Sequence, residues 1–262
     1  MQPDAASSVS ARMRPHRNAE RDERLRSELS LAVRAALLVM CAIACGSKKE
    51  SHDEAANVEI IVATPERSRF DTSACAVVHD ARCVRCALAS NVEAQHYEAL
   101  AQALALVPRS FVEASAVKRV VLCNKLSGPD TTRGATIDPA RGALLLKIEV
   151  LEKYAVDVLH HEMFHMFDIT APTHDTAWVA LNPAGFRYGA RDRAPRGFVR
   201  AYSTTNARED KATVYEAIIT KKLCKTDDDV VLAKARLVRE RIRAAIGEDA
   251  KYIDKLAPCL AE

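Results

Sequence analysis

With 262 residues, of which 48% are hydrophobic and 28% charged, the chain has the composition of a folded protein and length enough for one sizeable domain. A formal net charge of +3 gives no sign of the strongly basic balance on which nucleic-acid binding relies. No internal repeat is visible.

The first 30 residues hold six arginines and no apolar run. They read either as sequence upstream of a true start nearer Met13 or as a basic extension. Arg34 to Ser47 reads as an export signal, with a positive residue, an apolar stretch and small residues before a cysteine. Its apolar part is about ten residues, too short to span a bilayer, which takes about 20. Ala42-Ile43-Ala44-Cys45 resembles a bacterial lipobox, so cleavage before Cys45, its lipidation and membrane attachment in the cell envelope are expected. An ordinary secretory signal or a short buried helix is the alternative. The polar stretch Ser47 to Asn57 then serves as a tether. The organisation that follows is an extension and export signal over 1–44, a tether over 45–57 and one domain over 58–262.

Past Cys45 the chain keeps Cys75, Cys83, Cys86, Cys123, Cys224 and Cys259. An even count in an exported chain suggests disulfides, and pairing Cys224 with Cys259 is attractive because both flank a C-terminal helical pair. Cys75, His79, Cys83 and Cys86 offer a competing use as a structural zinc site, since Cys-x-x-Cys suits one.

Val58 to Ala63 alternates weakly and is predicted as a strand. Ser90-x-x-Glu93 predicts a helix start, with Val92, His96, Leu100, Leu104 and Val107 on one stripe. Val117 to Leu122 and Ala143 to Ile148 are apolar strands, separated by a loop rich in Gly, Pro and Asp. An amphipathic helix is predicted from about Val150 to Asp168, another from Ala207 to about Lys222, and a third from Asp228 to Gly247 with Asp and Gly at its ends. The fold class expected is α+β.

The central helix carries His161-Glu162-Met163-Phe164-His165. Residues i and i+4 on a helix sit one above the other, about 5–6 Å apart at Cβ, so two neutral imidazoles can bind one tetrahedral Zn²⁺. Glu162 lies one step round, within reach of a water on that ion without ligating it. Reading back from His165, positions 161, 158, 154 and 151 are His, Val, Tyr and Leu, which places the histidines on an inward stripe. Packed core histidines are the plain alternative. His160 points about 100° away and reads as a flanking residue. A third ligand is needed. A metzincin would supply it six residues after His165, following a glycine, but Ala171 and Asp168 stand at those positions, and the nearby His174 and Asp175 fit no known spacing. Downstream, Asn206-x-x-Glu209 is also a helix-start signature in which Glu209 would reach back to the cap.

His161-Glu162-Met163-Phe164-His165-Met166-Phe167-Asp168, taken with Ala201-Tyr202-Ser203-Thr204-Thr205-Asn206-Ala207-Arg208-Glu209-Asp210-Lys211-Ala212, resembles the catalytic domain of anthrax lethal factor-like zincins. It is also similar to a group of bacterial zinc metallopeptidases, as is Trp178 to Tyr188. The resemblance covers about Val150 to Lys222. It implies a zincin-like domain with an active-site helix, a small mixed sheet and C-terminal helices. It makes His161, His165 and Glu209 zinc ligands, Glu162 the general base and Tyr202 a donor to the developing oxyanion. It also sets Ala143 to Ile148 along the substrate cleft. The chain departs from the pattern at Thr213, where a second acid one turn after the ligand Glu is common.

The function expected is therefore zinc-dependent hydrolysis of a peptide or protein substrate by an exported, lipid-anchored protein. The rival expectation is a non-catalytic zinc-binding or adhesion lipoprotein on the same scaffold.

Overall fold

A computed structural model describes residues 58–61, 76–78, 82–127, 134–170 and 175–260. Cys45, the export signal and the tether lie outside these residues, as do Cys75, His79 and His174. The fold is α+β, with a small mixed sheet and several helices.

The described strands are β1 (Glu59–Ile61), β2 (Ala76–Val78), β3 (Arg82–Leu88), β4 (Arg119–Ser127), β5 (Ala135–Asp138) and β6 (Ala143–Lys147). They run in the order β2-β3-β4-β6-β5, with β1 also paired to β4. β4 and β6 pair in parallel, Val120 opposite Leu144 and Leu122 opposite Leu146. β6 is apolar and buried along most of its length, as a strand covered on both faces should be. Alternation then divides the core: Val120, Leu122, Leu144 and Leu146 join the main helical core, while Val121, Cys123, Ala143 and Leu145 form a smaller cluster with Cys86 and Leu126.

Two disulfides fasten the described chain. Cys224–Cys259 is the pairing expected from position. Cys86 bonds Cys123 across the β3–β4 ladder, so Cys86 is unavailable to the zinc set that the Cys-x-x-Cys spacing suggested. The ladder shifts register between Ala87 and Leu88, and this irregularity accompanies the cross-strand bond.

The helices are α1 (Ala94–Leu104), α2 (Arg109–Ala114), α3 (Ile148–Thr170), α4 (Asp175–Ala180), α5 (Ala207–Ile219), α6 (Asp229–Ile246) and α7 (Lys251–Leu256). Among the described residues no helix is long and apolar enough to cross a membrane. α1 begins later than Ser90-x-x-Glu93 suggested. Ala89 N–H is still bonded to Leu122 O at 2.8 Å, so the chain leaves the sheet only after Ala89, and Glu93 becomes the N-cap, its N–H donating to His96 Nδ1 at 3.0 Å. α6 matches its sequence signals at both ends: Asp228 Oδ1 accepts from Val230 N–H and Val231 N–H, and Gly247 closes the helix at φ 61°.

α3 packs against both α1 and α5. Its buried face is Leu151, Ala155, Leu159, Met163, Phe164, Met166 and Phe167, and a non-helical residue, Tyr154, kinks it. The stripe 151-154-158-161 is therefore not the core stripe throughout, because Tyr154 is 56% exposed. Residues 154, 158 and 161 instead face an open cleft. His160, read as flanking, is fully buried, and its ring meets Ala103 O at 2.8 Å; burial lowers its pKa to about 4, keeping the ring neutral.

Candidate metal centre

The candidate ligand side chains are delivered by packing that the intervening residues supply. Met163 and Phe164, the two residues between Glu162 and His165, are wholly buried. The Phe164 ring stacks on Tyr215 of α5 with centroids 4.9 Å apart, which fixes α5 alongside α3. At the start of α5, Asn206 Oδ1 accepts from the N–H groups of Arg208 and Glu209, both at 3.0 Å. Asn206 thus caps the helix, and the Glu209 side chain does not reach back to it. It turns towards α3.

There Glu209 Oε2 lies 3.0 Å from His161 Nε2 and 3.3 Å from His165 Nε2. Ligand atoms of these three residues all fall within 4.8 Å of one another, so the cluster could hold a metal ion. Zn–N bonds of about 2.0–2.1 Å and Zn–O bonds of about 2.0–2.2 Å set the corners of a tetrahedron about 3.3–3.5 Å apart. The observed separations are close to those edges, and a two-imidazole, one-carboxylate set leaves one corner open. The donors fit the ion that the sequence resemblance implies.

His161 is held from behind as well. Its Nδ1 lies 3.1 Å from Glu216 Oε2, and Glu216 receives two hydrogen bonds from the Arg200 guanidinium, at 2.9 and 2.6 Å. A proton on Nδ1 directed at this carboxylate keeps Nε2 as the nitrogen that faces Glu209. Burial alone would lower the pKa of His161, but its hydrogen bonds to Glu209 and Glu216 prevail and raise it to about 9 in the metal-free protein. Burial likewise opposes ionisation of Glu209, yet the two histidines hold its carboxyl well below the usual carboxylate range. Thr213 plays no part in this: its hydroxyl donates to Glu209 O at 2.6 Å. The carboxylate behind His161 comes from Glu216, seven residues after Glu209. Two helical turns bring it back to the same face.

Asp168 is engaged elsewhere. Both its oxygens accept from Lys211 Nζ, at 2.9 and 2.7 Å, and Arg241 approaches to 3.9 Å.

A cleft of about 440 Å³ opens beside the cluster, lined by His161, Glu162, Tyr202 and Arg200 among others. Tyr202 stands on a 3-10 turn, Ala201–Thr204, with its ring 6.1 Å from that of His161 and 39% exposed. It is a cleft residue rather than a packed core aromatic. The strand at the cleft is the start of β5, with Gly134 and Ala135; β6, expected there, lies one strand further in, between β4 and β5. Gly134 permits a close approach, since a Cβ there would stand 2.6 Å from Val150 Cγ2 at the start of α3.

The next residue after Glu209 builds a second polar cluster that the sequence did not reveal. Asp210 Oδ2 accepts from Trp178 Nε1–H (2.9 Å), Tyr188 O–H (2.9 Å) and Lys234 Nζ (2.7 Å). Lys234 also donates to Gly197 O at 2.7 Å. The cluster ties α4, α6 and the segment between Tyr188 and Gly197 to the helix that carries Glu209.

No family model matches this chain, and neither a curated protein nor a solved structure matches it.

Proposed function

We propose that this protein is a zinc-dependent peptidase with His161, His165 and Glu209 as the metal ligands. The observation that carries the reading is the convergence of those three ligand atoms within 4.8 Å beside a cleft that Glu162 and Tyr202 also line. Zinc held there would supply Lewis acidity, bringing the pKa of water from about 15.7 to about 7. Glu162, adjacent to a ligand but outside the ligand set, accepts the proton of the attacking water and passes it to the departing amine. The Tyr202 hydroxyl donates to the carbonyl oxygen of the peptide as negative charge develops on it. Glu216, with Arg200 behind it, keeps the His161 ring oriented throughout. The scaffold in this reading is zincin-like, and the substrate is a peptide or protein.

The protein acts, in the same reading, outside the cytoplasm as a lipid-anchored component of a bacterial envelope. The two disulfides support an oxidising compartment. The lipid would be carried by Cys45.

The test is a pair of variants assayed on an unbiased peptide library. Glu162→Gln keeps the shape of the side chain and should keep the zinc, but cleavage should fall by about 10²–10⁴-fold. Tyr202→Phe should lower it by about 10²–10³-fold. Activity unchanged in both variants, or none from zinc-loaded wild type, would defeat the peptidase reading.

A further inference from the structure

The segment from Arg187 to Arg200 contains five arginines, at 187, 191, 193, 196 and 200, and one acid, Asp192. That is a net +4 on a chain whose overall formal charge is +3. Every one of the five cations is Arg, whose planar fork matches a carboxylate in two-bond geometry.

The segment is fastened to the structure around the candidate centre at four places. Tyr188 O–H donates to Asp210, the neighbour of Glu209, at 2.9 Å. Gly189 N–H donates to Thr204 O at 2.7 Å while the Thr204 hydroxyl donates to Gly189 O at 2.9 Å, which joins the segment to the turn that bears Tyr202. Gly197 is held by Asp228 and Lys234, and Arg200 by Glu216, the carboxylate behind His161. Two residues of chain span at most about 7 Å. Arg187 and Arg191 therefore flank a point bonded to Thr204, itself two residues from Tyr202.

These arginines are not all engaged in structure. Arg200 is bound to Glu216, and Arg196 meets Asp229 only at 4.0 Å with both side chains largely exposed, a weak pairing. Arg187 and Arg193 are exposed and form no ion pair among the described residues. Arg191 is exposed too, but its guanidinium is ordered over the Phe186 ring at 5.0 Å, and Phe186 in turn packs on Phe198. Holding cations in fixed positions reduces the ordering cost of binding an anion.

We infer that Arg187, Arg191 and Arg193 form a basic rim beside the Tyr202 edge of the cleft that selects peptide segments carrying Asp or Glu a few residues from the cleaved bond. This rests on the peptidase reading above and adds the substrate class to it. The rim touches the flank of the substrate, away from the reacting atoms, so it acts on binding of ground state and transition state alike. Its effect belongs in KM.

The test uses the full chain loaded with zinc and two peptides that share a cleaved core, one flanked by glutamates and the other by glutamines. Wild type should show a KM about ten-fold lower for the acidic peptide, three exposed pairs each contributing modestly. The advantage should shrink as salt rises from about 50 to 300 mM, because exposed pairs are screened. In the triple variant Arg187→Glu, Arg191→Glu, Arg193→Glu the preference should invert while zinc content and circular dichroism stay as in wild type. Fluorescence anisotropy with the same labelled peptides separates the two proposals. Selective binding of the acidic peptide without cleavage would leave the rim standing and sink the peptidase reading. Cleavage with equal KM for both peptides, or a preference that survives the triple variant, overturns the rim. Binding to phosphatidylglycerol vesicles that is lost in the triple variant, with no peptide preference, overturns it too and assigns the arginines to a membrane surface.

Discussion

Glu209 and Asp210 are consecutive residues on the first turn of one helix, both buried, and they meet opposite surroundings. Asp210 faces a cation that the chain itself provides. Lys234 donates to it at 2.7 Å, both side chains are fully enclosed, and an indole and a phenol complete the arrangement. Burial pushes the Asp210 carboxyl up and the Lys234 ammonium down, and their mutual attraction pulls each back. Glu209 instead faces two imidazoles, which can be cationic or can yield their lone pairs to a metal. Two adjacent carboxylates thus separate two jobs. One is neutralised by a buried lysine and fastens four segments together; the other meets two imidazoles that, in the proposed reading, share a metal ion with it.

The sharpest way to break this comparison is to remove the built-in cation. Lys234→Ala leaves Asp210 buried with its main partner gone, and stability in urea should fall by about 3–5 kcal/mol with or without zinc. An effect confined to the zinc-loaded protein would show that the two clusters are one functional unit.

Glu216→Ala probes the other side. It removes the carboxylate that orients His161, and zinc affinity should fall by about 10–100-fold, as is typical for a partner of a ligating histidine. Competition with a chelator of known affinity measures it. An unchanged affinity would mean that packing alone orients the ring.

An effect of comparable size follows from pH. His161 in the metal-free protein has its pKa raised from 6.5 to about 9, so it is protonated at pH 7 and zinc must displace that proton. Zinc affinity should therefore rise up to about ten-fold per pH unit from pH 7 and level off near pH 9. For the metal-free protein the sign is reversed: a raised pKa gives stability that is fully present below 6.5 and is lost as pH rises through about 9. Calorimetry in two buffers of different ionisation enthalpy should register proton release on binding.

What the sequence made legible divides along the same line between local and distant causes. The ends of α6 could be read because Asp228 and Gly247 act on their own helix. The pair His161 and His165 could be read because a fixed helical period relates them. Glu209 was named through a family resemblance, and its competing role as a cap was resolved only when Asn206 proved sufficient for the cap. Glu216 went unread because its task depends on how α3 and α5 lie together and on Arg200 arriving from another segment. β5 was hidden in a stretch whose Gly and Pro content suggested a loop, yet Ala135–Asp138 pairs with β6. Cys86–Cys123 could not be chosen among the connectivities because it depends on the register of β3 against β4, including its shift. Tyr154 looked like a core position by spacing; the kink in α3 turns it into the cleft.

The central claim is that His161, His165 and Glu209 bind one zinc ion. Elemental analysis of the purified protein, beside His165→Ala and Glu209→Ala, tests it most directly. Wild type should hold one zinc per chain, and each variant should lose it on mild dialysis while remaining folded by circular dichroism. Full zinc retained by His165→Ala would contradict the account.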